Sequence, residues 1–296
     1  MAISSLADAP DELGAVAHRI VHGGRRFCDP VLVDEGVVDE LERLTELAPL
    51  HMAPAVAALR EARRELPSLP HVAVFDTAFH ATIPDEAATY ALPGRARHEW
   101  GIRRYEFHGL SVQWASEQVR VARLVVCHLG GGCSVTAVRD GRSVDTTMGF
   151  TPLEGVPMAT RPGSVDPGAL LYLLRHHLTL DELDALLEHE SGLLGLSGLS
   201  GDVRELEASS EPAARLALGV FTYRVAAAVA AMTVALGGLD ALVFTAGVGE
   251  HSQRVREAVC ERLGFLGVGE KGSVQVVVVE AREDVVAARE ALRLLG

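Results

Sequence analysis

Three residues in a row, Gly130, Gly131 and Gly132, are followed within a few dozen positions by Thr146, Thr147 and Thr151, an acid at Glu154, and Arg161 with Asp166 in a turn marked by Pro162, Gly163 and Pro167. Backbone amides can approach an anion closely where glycine carries no Cβ, and hydroxyls, arginine and carboxylate are the groups a phosphate with a metal would need. The alternative for the same residues is a tight β-turn followed by a polar surface loop. The flanks decide how the turn is held. Leu124 to Cys127 is an apolar, valine-rich run that reads as a buried strand, Ser134 to Val138 resumes the strand pattern, and Asp140-Gly141 is a hairpin signal ahead of Ser143 to Thr146. The glycines therefore sit at the tip of a hairpin.

Other chemistry-bearing residues are placed by neighbouring elements. Arg19 lies inside the apolar run 15–21, where an unpaired charge is costly, so it calls for an anionic partner or a wet cleft. Asp76 follows the strand-like run His71 to Phe75, at the carboxyl end where ligands of open α/β sheets gather; a helix N-cap is the bland reading. Apolar residues at three- and four-residue spacing predict helices between Asp34 and Leu66, with His51 at a helix start, where a cap or solvent role is the default. Further helices are expected over 169–177, 180–189, 213–236 and 253–263, strands over 239–245 and 274–279, and a glycine/serine loop over 191–201. Asp202 and Arg204 read as a surface salt bridge, and Gly247-Val248-Gly249 after a strand is a weak signal alone. His176 and His177 are adjacent and cannot pair on one helical face.

Composition narrows the classes. The 296 residues carry 48% hydrophobic content and a net charge of −13, enough for one large core or two moderate ones and opposed to nucleic acid as the main partner. No run of about 18 uncharged apolar residues is present, so no membrane span is expected. The start, MAISSLADAPDEL, lacks the basic and apolar regions of a secretory signal, and the four scattered cysteines lack paired metal spacing, which predicts a cytoplasmic protein with reduced thiols. Nearly all cations are arginine, Lys271 being the only lysine.

Longer runs carry a resemblance. SVDTTMGFTPLEG and MATRPGSVDPG, together with AHRIVHGG, LAPLH, VFDTAFHATIP, YALP, GIRRYEFHG, SGLLGLSG and FTAGVGEHS, are similar to motifs of the acetate kinase (acetate/propionate kinase) family, from about Ala15 onward. The resemblance implies an α/β fold of two actin-like, ribonuclease-H-like domains with a cleft between them, and the reaction ATP + acetate ⇌ ADP + acetyl phosphate. It implies Asp76, His108 and Arg161 as catalytic residues and Arg19 and His51 as substrate-binding. For nucleotide it implies His128, Gly130, Gly131, Gly132, Asp202, Val203, Arg204, Gly247, Val248, Gly249, Glu250 and His251, and for Mg²⁺ it implies Glu283. A homodimer is the implied assembly. Departures are Glu106 for glycine, Ser111-Val112 for Ser-His, Gly131 for asparagine and Ser164 for aspartate; the link from Val112 to Arg123 is also shorter than the family helix. The family's opening strand and Asn-Ala-Gly-Ser-Ser-Ser loop have no match, so the first domain is expected to be incomplete. It would span 1–79, with 283–296 packing back on it and a nucleotide-binding second domain over 80–282, and turnover is expected to be slow or absent. Alternatives are a catalytically impaired nucleotide-binding remnant and a propionate or butyrate kinase.

Overall fold

The computed structural model describes residues 13–269 and 272–296; the readings made of Met1 to Glu12 and of Lys271 lie outside these. Two sheets organise the chain. The first contains β1 (Val16–Ile20), β2 (Val31–Leu32) and β3 (His71–Phe75) in the order β1-β3-β2, with β1 parallel and β2 antiparallel to β3. Every residue of β3 is buried. The helices Glu35–Arg43 and Pro49–Glu65 cover one face, closing a core of Ile20, Val38, Leu41, Met52, Leu59 and Phe75, with Phe27 stacked on Phe75 at 5.1 Å. The opposite face meets the final helix, Glu283–Leu295, through Val72, Val74, Val286, Ala287 and Ala291.

The second sheet contains β4 (Arg123–Leu129), β5 (Cys133–Arg139), β6 (Arg142–Thr146), β7 (Ala241–Thr245) and β8 (Gln275–Val278) in the order β6-β5-β4-β7-β8. β4, β5 and β6 form an antiparallel meander, and β7 and β8 run parallel to β4. This is the ribonuclease-H-like arrangement. Asp140 and Gly141 turn β5 into β6 with φ of 50° and 76°, the positive pair that a two-residue hairpin of matching twist requires. Both faces of β4 are buried, so its residues are apolar without alternation: Val125 and Cys127 face Phe221, Val225 and Val229, while Leu124 and Val126 face Val112 and Ala115 of the helix Gly109–Gln118.

The helix Pro212–Leu236 is long and apolar enough by length and composition to cross a membrane, but Arg224 interrupts it, and Ala217, Phe221, Val225 and Val229 are fully buried against the second sheet. It is a core helix rich in small residues. The expected loop over 191–201 contains a short helix instead, Gly192–Ser197. Leu193 is buried and its N–H bonds Met158 O at 2.9 Å, and the glycines serve as left-handed ends at Gly192 and Gly198, with φ of 61° and 63°.

Candidate active site

The carboxyl ends of β1, β3 and β4 converge with the hairpin tip on one cleft. Arg19 projects from β1 and grips Asp76, just past β3, with both Nε and Nη2, at 2.9 to 3.2 Å. Its Nη1 lies 3.6 Å from Glu283, the first residue of the final helix. Asp76 is 1% exposed, so the bidentate pair satisfies a carboxylate that burial would otherwise penalise. Asp76 raises the guanidinium further above its usual range.

The backbone of Asp76 also positions His108. Gly109 N donates to Asp76 O at 2.9 Å, and a Cβ on Gly109 would fall 2.0 Å from that oxygen, so only glycine allows this approach. His108 precedes it in a left-handed conformation, φ 61°, which turns its ring into the cleft. There it stacks on His128 of β4, with centroids 4.1 Å apart. Ser134 Oγ lies 3.0 Å from His108 Nδ1 and Ser111 Oγ 2.8 Å from His128 Nδ1. Burial, with the nearby cations adding, holds His108 well below the usual imidazole range and His128 at about 3. Both rings are neutral at physiological pH.

Arg161 approaches from the loop after β6. A Cβ on Gly132 would meet Arg161 Nη2 at 3.0 Å and His108 Nε2 at 3.1 Å, so the glycine leaves open the space these two groups border. Arg161 is 9% exposed and donates to Pro152 O at 3.3 Å; among the described residues it forms no ion pair. Burial lowers its pKa, partly offset by Glu188 at longer range. A buried guanidinium with no carboxylate in ion-pair contact among the described residues, beside two neutral imidazoles, could receive an anion.

The remaining predicted residues divide. Gly130 borders His128 Nε2 and the Ala246 methyl, and Gly131 is exposed with open space around it. Gly247, Val248, Gly249, Glu250 and His251 form a short helix, Ala246–His251, not a loop; Gly247 and His251 are exposed, and Glu250 accepts from Ala281 N at 2.9 Å. Asp202 caps the helix Val203–Ala208 and pairs with the exposed Arg204, while the Val203 side chain is core. Ser252 Oγ donates to Glu207 Oε1 at 2.5 Å, tying these two stretches together. His51 is exposed on the helix Pro49–Glu65. The sequence reading overlooked Ser134 and Ser111, both fully buried; Ser134 in a buried strand and Ser111 one turn after His108 in a helix are the only local signals. Thr146, Thr147 and Glu154 line a separate cavity of about 320 Å³ with Arg104 and Arg224, away from the cleft.

Among the described residues no three His, Cys, Asp or Glu side chains are grouped to hold a metal by themselves. Asp76 and Glu283, joined through Arg19, offer hard oxygen donors of the kind that hold Mg²⁺ when substrate phosphates complete its shell.

A model of the Acetokinase family matches residues 2–293. The chain is 43% identical to an acetate kinase of Nostoc punctiforme, covering 99% of this chain and 79% of that protein, and 44% identical to a propionate kinase of Escherichia fergusonii, covering 99% and 78%. The Nostoc alignment runs over 324 residues, more than this chain contains, so that relative has internal segments without a counterpart here. The crystal structure of Porphyromonas gingivalis acetate kinase superposes with a TM-score of 0.89 at 35% identity, over 99% of this chain and 80% of that one.

Proposed function

The chain belongs to the Acetokinase family, and from that premise we propose that its cleft transfers the γ-phosphoryl group of ATP to acetate, giving ADP and acetyl phosphate. It is a phosphotransferase of the acetate kinase type with a carboxyl group as acceptor. The observation that carries the site assignment is Arg161, buried without a carboxylate partner at the rim of the space that Gly132 leaves open beside His108.

Acetate is already ionised at neutral pH, so the acceptor has no proton to give up and the site needs no general base. It must instead bring two anions together and offset the charge that spreads over the phosphoryl oxygens. Arg161 supplies a full positive charge. His108, neutral, supplies a hydrogen bond. Arg19 is compensated by Asp76 and Glu283, so its part is to orient the carboxylates and face the acyl group. Asp76 and Glu283 would hold Mg²⁺, which when bound neutralises nucleotide phosphate charge. The turn Gly130–Gly132 and the start of the helix Ala246–His251 would lie along the nucleotide.

Acetate, propionate and butyrate differ by methylenes worth about 1–3 kcal/mol each in a pocket, and the named relatives of both kinds are equally similar. A hydroxamate assay with the three acids ranks them. Arg161→Ala is expected to lower turnover on the order of 10³-fold with melting temperature nearly unchanged. Full activity in the folded variant removes Arg161 from the mechanism. Nucleotide binding without any acyl phosphate in the parent chain identifies a remnant instead.

A cytoplasmic homodimer fits this reading. The helix Pro167–His176 buries none of its residues, and Leu171, Tyr172 and Leu180 are about half or more exposed, an apolar surface a second copy would cover. Sedimentation velocity tests this.

A further inference from the structure

The stacked imidazoles are held by a crossed pair of serines. Ser134 is the cross-strand partner of His128 in the β4–β5 ladder, yet its hydroxyl reaches His108. Ser111 lies one helical turn after His108, yet its hydroxyl reaches His128. Each contact is at Nδ1, and each can run in either direction, depending on which ring nitrogen bears the proton.

Counting hydrogens decides the direction. Both serines are fully buried, and among the described residues neither hydroxyl has a second hydrogen-bond partner. If Nδ1–H donated, each serine proton would be buried without an acceptor, a state folded proteins avoid. If the serine donates, Nδ1 is the acceptor and the single proton of a neutral ring lies on Nε2. The same pairing recurs at His80, where Ser143 Oγ lies 2.8 Å from Nδ1 and Phe107 O lies 2.9 Å from Nε2. A carbonyl can only accept, so there the Nε2–H form is fixed independently.

We propose that Ser134 and Ser111 are positioning residues that fix His108 and His128 as Nε2–H tautomers, so that the stacked rings present two N–H donors toward the turn Gly130–Gly132. This rests on the phosphotransferase reading, because a phosphoryl group in transfer offers only acceptor oxygens and a ring of the opposite tautomer would aim a lone pair at them. Neutral rings locked in this form donate without changing charge during the reaction.

Long-range ¹H–¹⁵N correlation spectra of the full chain with ¹⁵N-labelled histidine read the tautomers directly. Both rings are expected as Nε2–H in the parent protein. Ser134→Ala should give a tautomeric mixture at His108 and lower kcat about 10- to 100-fold, the scale of misplaced reacting groups, with KM for ATP changed much less. Ser111→Ala should do the same at His128, and Ser134→Thr, which keeps the hydroxyl, should keep the Nε2–H signal. Ser143→Ala removes an equivalent buried bond outside the cleft and should leave kcat within about threefold. An Nδ1–H signal at His108 in the parent overturns the proposal. So does a loss of kcat in Ser143→Ala equal to that in Ser134→Ala. A parent chain that makes no acyl phosphate defeats the phosphotransferase reading, while its spectrum still decides the tautomers.

Discussion

Glu106 departs most from what its position asks for. It has φ 69° and is 1% exposed. Neither carboxyl oxygen finds a hydrogen-bond partner, although Arg104 Nε lies 3.5 Å away and His80 Nδ1 3.8 Å. Burial, with Asp145 adding, pushes its carboxyl well above the ordinary range against the opposing pull of Arg104. Left-handed backbone costs a residue with a Cβ about 1–2 kcal/mol, and an unsatisfied buried polar group about 1–3 kcal/mol; the extra chain freedom of glycine and the emptied volume return part of this. Glu106→Gly should therefore stabilise the protein by about 1 kcal/mol or more, raising Tm by roughly 2–4 °C per kcal/mol. A lower melting temperature would show that the carboxyl contributes to packing here. The sign with pH also follows. The folded state keeps this proton while the unfolded chain releases it above about pH 4.3, so stability from Glu106 is fullest below that pH and is lost as pH rises toward the folded value. Glu106→Gln should remove that component from urea midpoints measured across pH. In the sequence, Glu106 was legible as an odd substitution within GIRRYEFHG, but its burial was not, because a charge in a loop is normally solvated.

At the scale of elements, the sequence carried the strands and long helices well, because valine-rich runs and apolar spacing report directly on burial. It carried the short helices poorly. Glycines at Gly192 and Gly198 read as loop although they are helix ends, and Ala246–His251 reads as a loop because its two glycines dominate the pattern. That helix starts at Ala246 with φ 65°, strain of the kind surrounding structure must hold in place. Its glycines have different reasons. A Cβ on Gly249 would sit 3.4 Å from Phe244 C and 3.6 Å from Cys127 O, against the sheet, while one on Gly247 would meet nothing within 4 Å. Gly249→Val should thus overpack the helix–sheet contact and cost about 1–3 kcal/mol. Gly247→Val should leave Tm unchanged and weaken ADP tenfold or more by calorimetry, since the side chain fills space the nucleotide would use. Unchanged ADP affinity in folded Gly247→Val would place the nucleotide away from this helix. Individual residues that the structure brings together were legible where a charge interrupts an apolar run, as at Arg19, or follows a strand's carboxyl end, as at Asp76. The pairings were not, because Arg19 with Glu283 and Ser134 with His108 depend on how the two sheets meet.

Across the whole molecule, imidazoles held neutral set the response to acid. Burial brings His18, His22 and His80 each to about 4 and His128 to about 3, and holds His108 well below its usual value. These five lie on both sheets and between them, so they report on the entire fold. For each, the unfolded chain takes up a proton near pH 6.5 that the folded chain refuses until far lower. Their contribution is therefore intact above about pH 6.5 and is lost as pH falls toward the folded values, by up to about 1.4 kcal/mol per unit for each group. Acting in the same direction, they weigh on a typical total stability of only about 5–15 kcal/mol. Glu106, Asp145 and Glu188, whose carboxyls burial raises, act with the opposite sign but are fewer than the five rings. The chain should accordingly lose stability in acid at 25 °C, with urea midpoints by far-UV circular dichroism dropping as pH falls from 6.5 to 5. His18→Gln, which removes one titrating ring at the rim of the first sheet, should move the acid midpoint downward. Urea midpoints that stay flat from pH 7.5 to 5 would mean that these rings take up protons in the folded state, and with them His108 would lose the neutrality on which its role as a donor rests.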